Sequence, residues 1–224
     1  MMTKSMPRTR VFHLGAAIIS TALFFVVVTL LPSLKIATNP QMVVKCVVEI
    51  IVAVAILYAL VRWGEPKRAL GLRPVRAATF GWGLVCFLAI AILSVVTLFS
   101  FSRFGISQDK ATLTALASRP VPIVLLLAAT AGIAEEIVFR SVLITELEAA
   151  TGLKWLAALI SLVVFAAAHA GGWGPTQVIF AAVPGLVLTL FFLWKRDLWI
   201  CVIAHFLTDA LGLLSAAAAM SHHT

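Results

Sequence analysis

Residues 77–99 read AATFGWGLVCFLAIAILSVVTLF, without one charged side chain. A helix needs about 20 mostly apolar residues to cross the hydrocarbon core of a bilayer. Strands of soluble sheets are far shorter, and the two-residue alternation of an outer-membrane barrel is missing here. The stretch therefore reads as a transmembrane helix. Working outward, the same test finds six more. The seven spans cover approximately 11–32, 42–61, 77–99, 121–147, 155–170, 177–194 and 198–219. The expected fold is all-α, a polytopic integral membrane bundle of about seven transmembrane helices.

Composition agrees with this. Of 224 residues, 62% are hydrophobic and 12% charged, against roughly 25% charged in a soluble domain. One water-soluble core of this size could not hide so much apolar surface. A solvated globular domain, a disordered chain and a disulfide scaffold are excluded. Cys46, Cys86 and Cys201 lie far apart inside apolar runs, without metal or CxxC spacing, and read as small buried apolar residues. In a soluble protein the net charge of +8 would suggest nucleic acid. Here the 17 Lys and Arg cluster between apolar runs, so they are orientation signals and no nucleic-acid partner is expected.

The first span follows Lys4, Arg8 and Arg10. Its apolar stretch is too long for a cleaved signal, and no small-x-small site follows, so it reads as a retained helix. With the N-terminus in the cytoplasm, inner segments hold eleven basic residues: Lys4, Arg8, Arg10, Arg62, Lys67, Arg68, Arg73, Arg76, Lys154, Lys195 and Arg196. Outer segments hold five: Lys35, Lys45, Arg103, Lys110 and Arg119. The expectation is a cytoplasmic N-terminus in a bacterial inner (plasma) membrane. Residues 62–76 (RWGEPKRALGLRPVR) form a basic cytoplasmic loop. The polar stretch 100–120 suggests a short interfacial helix near Asp109–Ala117. The chain divides into N-terminal helices with the basic loop (1–120), a core of the later helices (121–219) and a tail (220–224). No internal repeat is visible.

Ionisable groups at bilayer depth cost several kcal/mol and persist where function or a partner holds them. They concentrate late in this chain, as Glu135-Glu136 with Arg140, Phe165 with His169, and His205 with Asp209. Residues four apart share a helix face. Glu136 and Arg140 should therefore form an internal ion pair, while Glu135 points about 140° away from Arg140 on an α-helix of 3.6 residues per turn. Phe165 comes one turn from His169, and His205 faces Asp209. A carboxylate behind apolar walls, two imidazoles and a further polar pair are the parts needed to activate water and stabilise an oxyanion. Each patch also has a structural reading, as an internal ion pair or helix-bridging hydrogen bond. Lys45 and Glu49 read as a structural pair near a helix end, where the lysine can snorkel. Glu146 and Glu148 read as solvated, His13 as interfacial, and His222 and His223 receive no role.

The pattern Glu-Glu-x-x-x-Arg, Phe-x-x-x-His, His-x-x-x-Asp over about 121–213, with Leu70-Gly71-Leu72-Arg73 ahead of the third span, resembles the CPBP family. These are the CAAX prenyl endopeptidases and bacteriocin-processing, Abi-type membrane proteins. The resemblance implies an intramembrane endopeptidase of glutamic type. Glu135 and His169 would activate water, His205 and Asp209 would bind the oxyanion, and Glu136, Arg140 and Phe165 would support the site. It implies no cofactor, with zinc as the alternative, since Glu and two His are plausible ligands. There is no HExxH pair on one helix. The prenyl-processing enzymes have Asn where this chain has Asp209; an ionised Asp would repel an oxyanion, so it is either protonated or orients His205. Gly171-Gly172-Trp173-Gly174-Pro175 should end a helix and supply a flexible loop beside His169, a candidate substrate gate. The expected partners are the lipid bilayer and a peptide or membrane-protein substrate. A non-enzymatic immunity or regulatory protein and a small transporter are the competing readings; the absence of repeats and broken helices disfavours the transporter.

Overall fold

A computed structural model describes residues 9–31 and 37–221. Lys4, Arg8, Lys35, His222 and His223 lie outside the described residues. Ten helical segments follow one another: α1 (Arg10–Leu30), α2 (Asn39–Arg62), α3 (Ala77–Ser102), α4 (Lys110–Ala117), α5 (Val121–Thr130), a π-helical segment (Ala131–Ile144), α6 (Thr145–Thr151), α7 (Lys154–Trp173), α8 (Gln177–Lys195) and α9 (Leu198–Ser221). The described residues contain no strand. α5, the π segment and α6 run on as one span, Val121–Thr151. Together with α1, α2, α3, α7, α8 and α9 it makes seven helices, among the described residues, long and apolar enough to cross a membrane. The protein is an all-helical integral membrane protein.

The local signals explain the ends. Asp109 caps α4, accepting from the backbone N–H of Ala111 at 3.0 Å and of Thr112 at 3.4 Å. Thr38 and Gln41 form a capping box at α2, with Pro in its first turn. Gly152 ends α6 in the left-handed conformation (φ 74°). Arg119 joins the start of α5 to α2, donating to Asn39 Oδ1 at 2.8 Å and Ala37 O at 2.7 Å.

The long central span is the hub. Every residue from Glu136 to Leu147 is buried, as expected of a helix enclosed on all sides. α1, α2, α7 and α9 pack around the π segment, and α9 also contacts α3, α5 and α8. In lipid the hydrophobic effect does not draw helices together, so close packing at small residues takes over. A Cβ on Gly132 would come within 3.0 Å of Val202 O and 3.1 Å of Phe206 N on α9. One on Gly83 would come within 2.7 Å of the Ile203 side chain. Large apolar side chains such as Ile18, Ile51, Ile92 and Leu159 point outward, the arrangement a lipid environment favours.

Three expectations change. α7 runs on past His169 to Trp173, so Gly171 and Gly172 are helical and the link to α8 is only Gly174-Pro175-Thr176. Trp173 packs into a small apolar cluster with Met42, Leu116 and Leu213, which closes this end instead of leaving a long loop. Lys45 does not snorkel. It is 6% exposed and its Nζ donates to Glu49 Oε1 at 2.8 Å and to Val28 O at 3.4 Å. Glu146 is not solvated either. It is fully buried and bonds His13 Nδ1 at 2.8 Å, with Glu65 Oε1 3.6 Å from the same nitrogen. Glu148 pairs with Arg196. The free cysteines are all buried, as expected.

Candidate active site

The π segment carries the first polar patch. A π-helix closes its hydrogen bonds over five residues instead of four, and such segments cluster at functional sites. Residues five apart therefore come nearer to alignment. The α-helical spacing assumed for Glu135 and Arg140 does not hold in this segment, while Arg140 still pairs with Glu136 as their four-residue separation predicts. Ser161 of α7 donates to Phe139 O at 2.7 Å, giving one carbonyl of the segment a side-chain partner.

Glu136 is the centre of a buried network. Its Oε1 accepts from Arg140 Nη1 at 2.9 Å and from His205 Nδ1 at 2.7 Å. Glu136 and Arg140 are both 0% exposed. Arg140 Nη2 donates to Gly185 O on α8 at 3.2 Å, and its guanidinium lies 4.1 Å above the Phe165 ring. Thus one arginine binds its own helix, α7 and α8 together. Gly185 is required for this approach. A Cβ there would stand 2.8 Å from Phe165 Cδ1 and 3.0 Å from Leu162 Cδ1.

Phe165 gathers the three patches. Its ring centroid lies 4.8 Å from that of His169 and 6.2 Å from that of His205, and Phe139 meets it edge-on at 5.2 Å. The main chain of Phe165 also sets the His169 tautomer. His169 Nδ1 is 2.9 Å from Phe165 O. A carbonyl only accepts, so Nδ1 carries the proton and Nε2 of the neutral ring has the free lone pair. His205 is held differently. Its Nδ1–H is committed to Glu136, and its Nε2 lies 3.5 Å from Asp209 Oδ2, a long contact.

Glu135 is half-buried, and its Oε2 is buried with no hydrogen-bond partner among the described residues. It is close enough to Glu49 on α2 to interact with it electrostatically. The sequence reading set Lys45 and Glu49 aside as a pair near a helix end; the structure brings them toward the site from α2. Gly185 also went unnoticed, although a Pro184-Gly185 pair inside an apolar span is the type of small-residue signal that marks close helix packing.

The motif residues do not form a ready zinc site. The His205 nitrogens face Glu136 and Asp209, so His169 Nε2 is the imidazole lone pair left open. Among the described residues, the set of three donors within 4.8 Å of one another is His13, Glu65 and Glu146, two to three turns along the central span from Glu136. That group bridges α1, the α2–α3 connection and α6.

Residues 117–211 match the family model described as type II CAAX prenyl endopeptidase Rce1-like. That stretch, under half of the chain, is similar to the Rce1-like family. No curated protein and no solved structure gives a significant match. The matched stretch contains all three polar patches and starts in α4. α1 to α3, and with them Lys45 and Glu49, lie outside it. The family belongs to the CPBP membrane proteases, in agreement with the motif resemblance. It supports protease activity of the CAAX intramembrane type.

Proposed function

We propose that the chain is a glutamic-type intramembrane endopeptidase that cleaves a membrane-associated peptide or protein, with Glu135 and His169 activating the water. The observation that carries this reading is the convergence of three patches, from three helices, on the Phe165 ring. Glu135 accepts a proton from water, and His169 Nε2 accepts a hydrogen bond that orients it. The resulting hydroxide adds to the scissile carbonyl carbon. Glu136 holds the His205 ring through Nδ1, and the protonated ring turns its Nε2–H from the long contact with Asp209 to the oxyanion that forms. The proton on Glu135 then passes to the departing amine as the C–N bond breaks. Glu136 and Arg140 brace the helices that hold these groups. Asp209 in place of Asn speaks for a substrate other than the prenylated CAAX proteins. No metal is assigned a step.

The test uses Glu135→Ala and His169→Ala variants in detergent or nanodiscs, assayed against a panel of membrane-spanning peptides. Loss of a general base lowers the rate by roughly 10²–10⁴-fold, and both variants should fall by at least that much while remaining monodisperse. Wild-type-like cleavage by either would refute the assignment. By the positive-inside rule the N-terminus is cytoplasmic. A C-terminal reporter active on the cytoplasmic side would refute that orientation.

A further inference from the structure

The α2–α3 connection, the start of α3 and the α8–α9 turn enclose a cleft of about 310 Å³. Arg68, Arg73, Arg76 and Lys195 line it beside Trp82 and Asp197. We propose that this cleft binds a phosphate-bearing anion, the chemistry presented by the headgroup of an anionic phospholipid in the leaflet that the basic loop faces. It is separate from the candidate active site and does not depend on the proteolytic reading.

Three observations support the proposal. First, the cations outnumber the carboxylates in the lining. Among the described residues no carboxylate pairs with the guanidinium of Arg68, Arg73 or Arg76. One carboxylate, Asp197, shares the cleft with these four cations and accepts from Trp199 N at 3.1 Å and from Thr79 Oγ1 at 3.5 Å. Lys195 Nζ lies 3.5 Å from the ring centroids of both Trp82 and Trp194. Second, the cleft is built on fixed backbone. Ser141 Oγ donates to Leu70 O at 2.7 Å, Thr145 Oγ1 to Ala69 O at 3.0 Å and Leu198 N to Gly71 O at 2.9 Å. Gly71 has φ +73°, and a Cβ on it would strike Phe192 at 2.7 Å, so the arginines are carried on a loop pinned to α6, the π segment and α9. Third, the aromatic flanks of the cleft suit headgroup level. Trp82 and Trp194 are the aromatic type that settles at membrane interfaces, and basic pockets between transmembrane helices on the cytoplasmic side suit phospholipid headgroups. Arginine forks match phosphate oxygens in pairs.

The full chain in mixed micelles is offered phosphatidylglycerol against phosphatidylcholine, and retained lipid is read by native mass spectrometry. A parallel arm titrates inorganic phosphate and reads thermal stability. The wild type should retain phosphatidylglycerol preferentially. Retention should weaken on the order of fivefold for each arginine lost in R68Q/R73Q/R76Q, and Lys195→Gln should weaken it separately. R62Q/K67Q, which removes charge from the same loop outside the cleft, should change nothing. Phosphate that stabilises the protein and displaces the lipid would make free phosphate a ligand of the same site; lipid retention that phosphate leaves intact would assign it to the membrane. Equal retention by the cleft variant and the wild type would overturn the proposal, as would a wild type with no preference for phosphatidylglycerol and no response to phosphate.

Discussion

Replacing Arg140 with Met tests whether the buried network holds the bundle together. The guanidinium lies 2.9 Å from Glu136 Oε1, 3.2 Å from Gly185 O and 4.1 Å above Phe165. At 2.9 Å and an effective dielectric of about 20, the gross attraction between unit charges is about 6 kcal/mol. Most of it offsets desolvation, and removing one member of a buried pair costs about 3–5 kcal/mol because the other charge is stranded. Methionine keeps much of the volume but leaves Glu136 facing His205 alone. For a chain of this length each kcal/mol corresponds to roughly 2–4 °C, so a fall on the order of 10 °C is expected by intrinsic tryptophan fluorescence in detergent. Glu136→Gln should cost a similar amount, and the double variant clearly less than the sum of the two, since both remove the same interaction. Arg140→Lys keeps the charge but loses the fork and the stacking, and should fall between. If Arg140→Met melted with the wild type, or the two changes were additive, the network would not be the brace described here.

Other consequences can be measured independently. Gly185→Ala places a methyl 2.8 Å from Phe165; it should displace that ring, destabilise by about 1–3 kcal/mol as an overpacked core does, and lower proteolysis beyond the stability loss because both histidines pack on the ring. Gly132→Ala meets backbone of α9 at 3.0 Å, which cannot rotate aside, so it should weaken the α9 contact at least as much, read as earlier unfolding in increasing SDS. Proteolysis should survive excess chelator, since His205 is engaged at both nitrogens; activity lost to chelator and restored by zinc would overturn the metal-free scheme.

Much of the site was legible before any coordinates. Glu136–Arg140 and Phe165–His169 are four apart, and helical geometry makes such neighbours meet whatever the bundle does. His205–Asp209 has the same spacing but reaches only 3.5 Å. The bond between Glu136 and His205 spans 69 residues and joins two helices. No local rule contains it. It also changes His205, whose Nδ1 is held by a carboxylate that the spacing had given to Arg140 alone. The π-helical form of Ala131–Ile144 was not legible, because arithmetic at 3.6 residues per turn assumes an α-helix. Lys45 pairs with Glu49 as its spacing predicts, but its expected snorkelling and the expected solvation of Glu146 both fail. Their hydropathy marks them as polar, but burial depends on which helix stands opposite, and His13 is 133 residues from Glu146.

The sequence by itself determined that this is a seven-span membrane protein, because crossing a bilayer depends on the length and apolarity of each segment taken alone. It also determined the short-range pairs, because four residues of helix make one turn. Only the tertiary structure decided what those pairs face: Arg140 on Gly185 and Phe165, Glu136 on His205, and the basic loop pinned against α9 with its arginines around one cleft. Such choices rest on packing between helices, where a missing Cβ at Gly132 or Gly185 sets the approach, and packing is a property of the whole bundle and of no single segment.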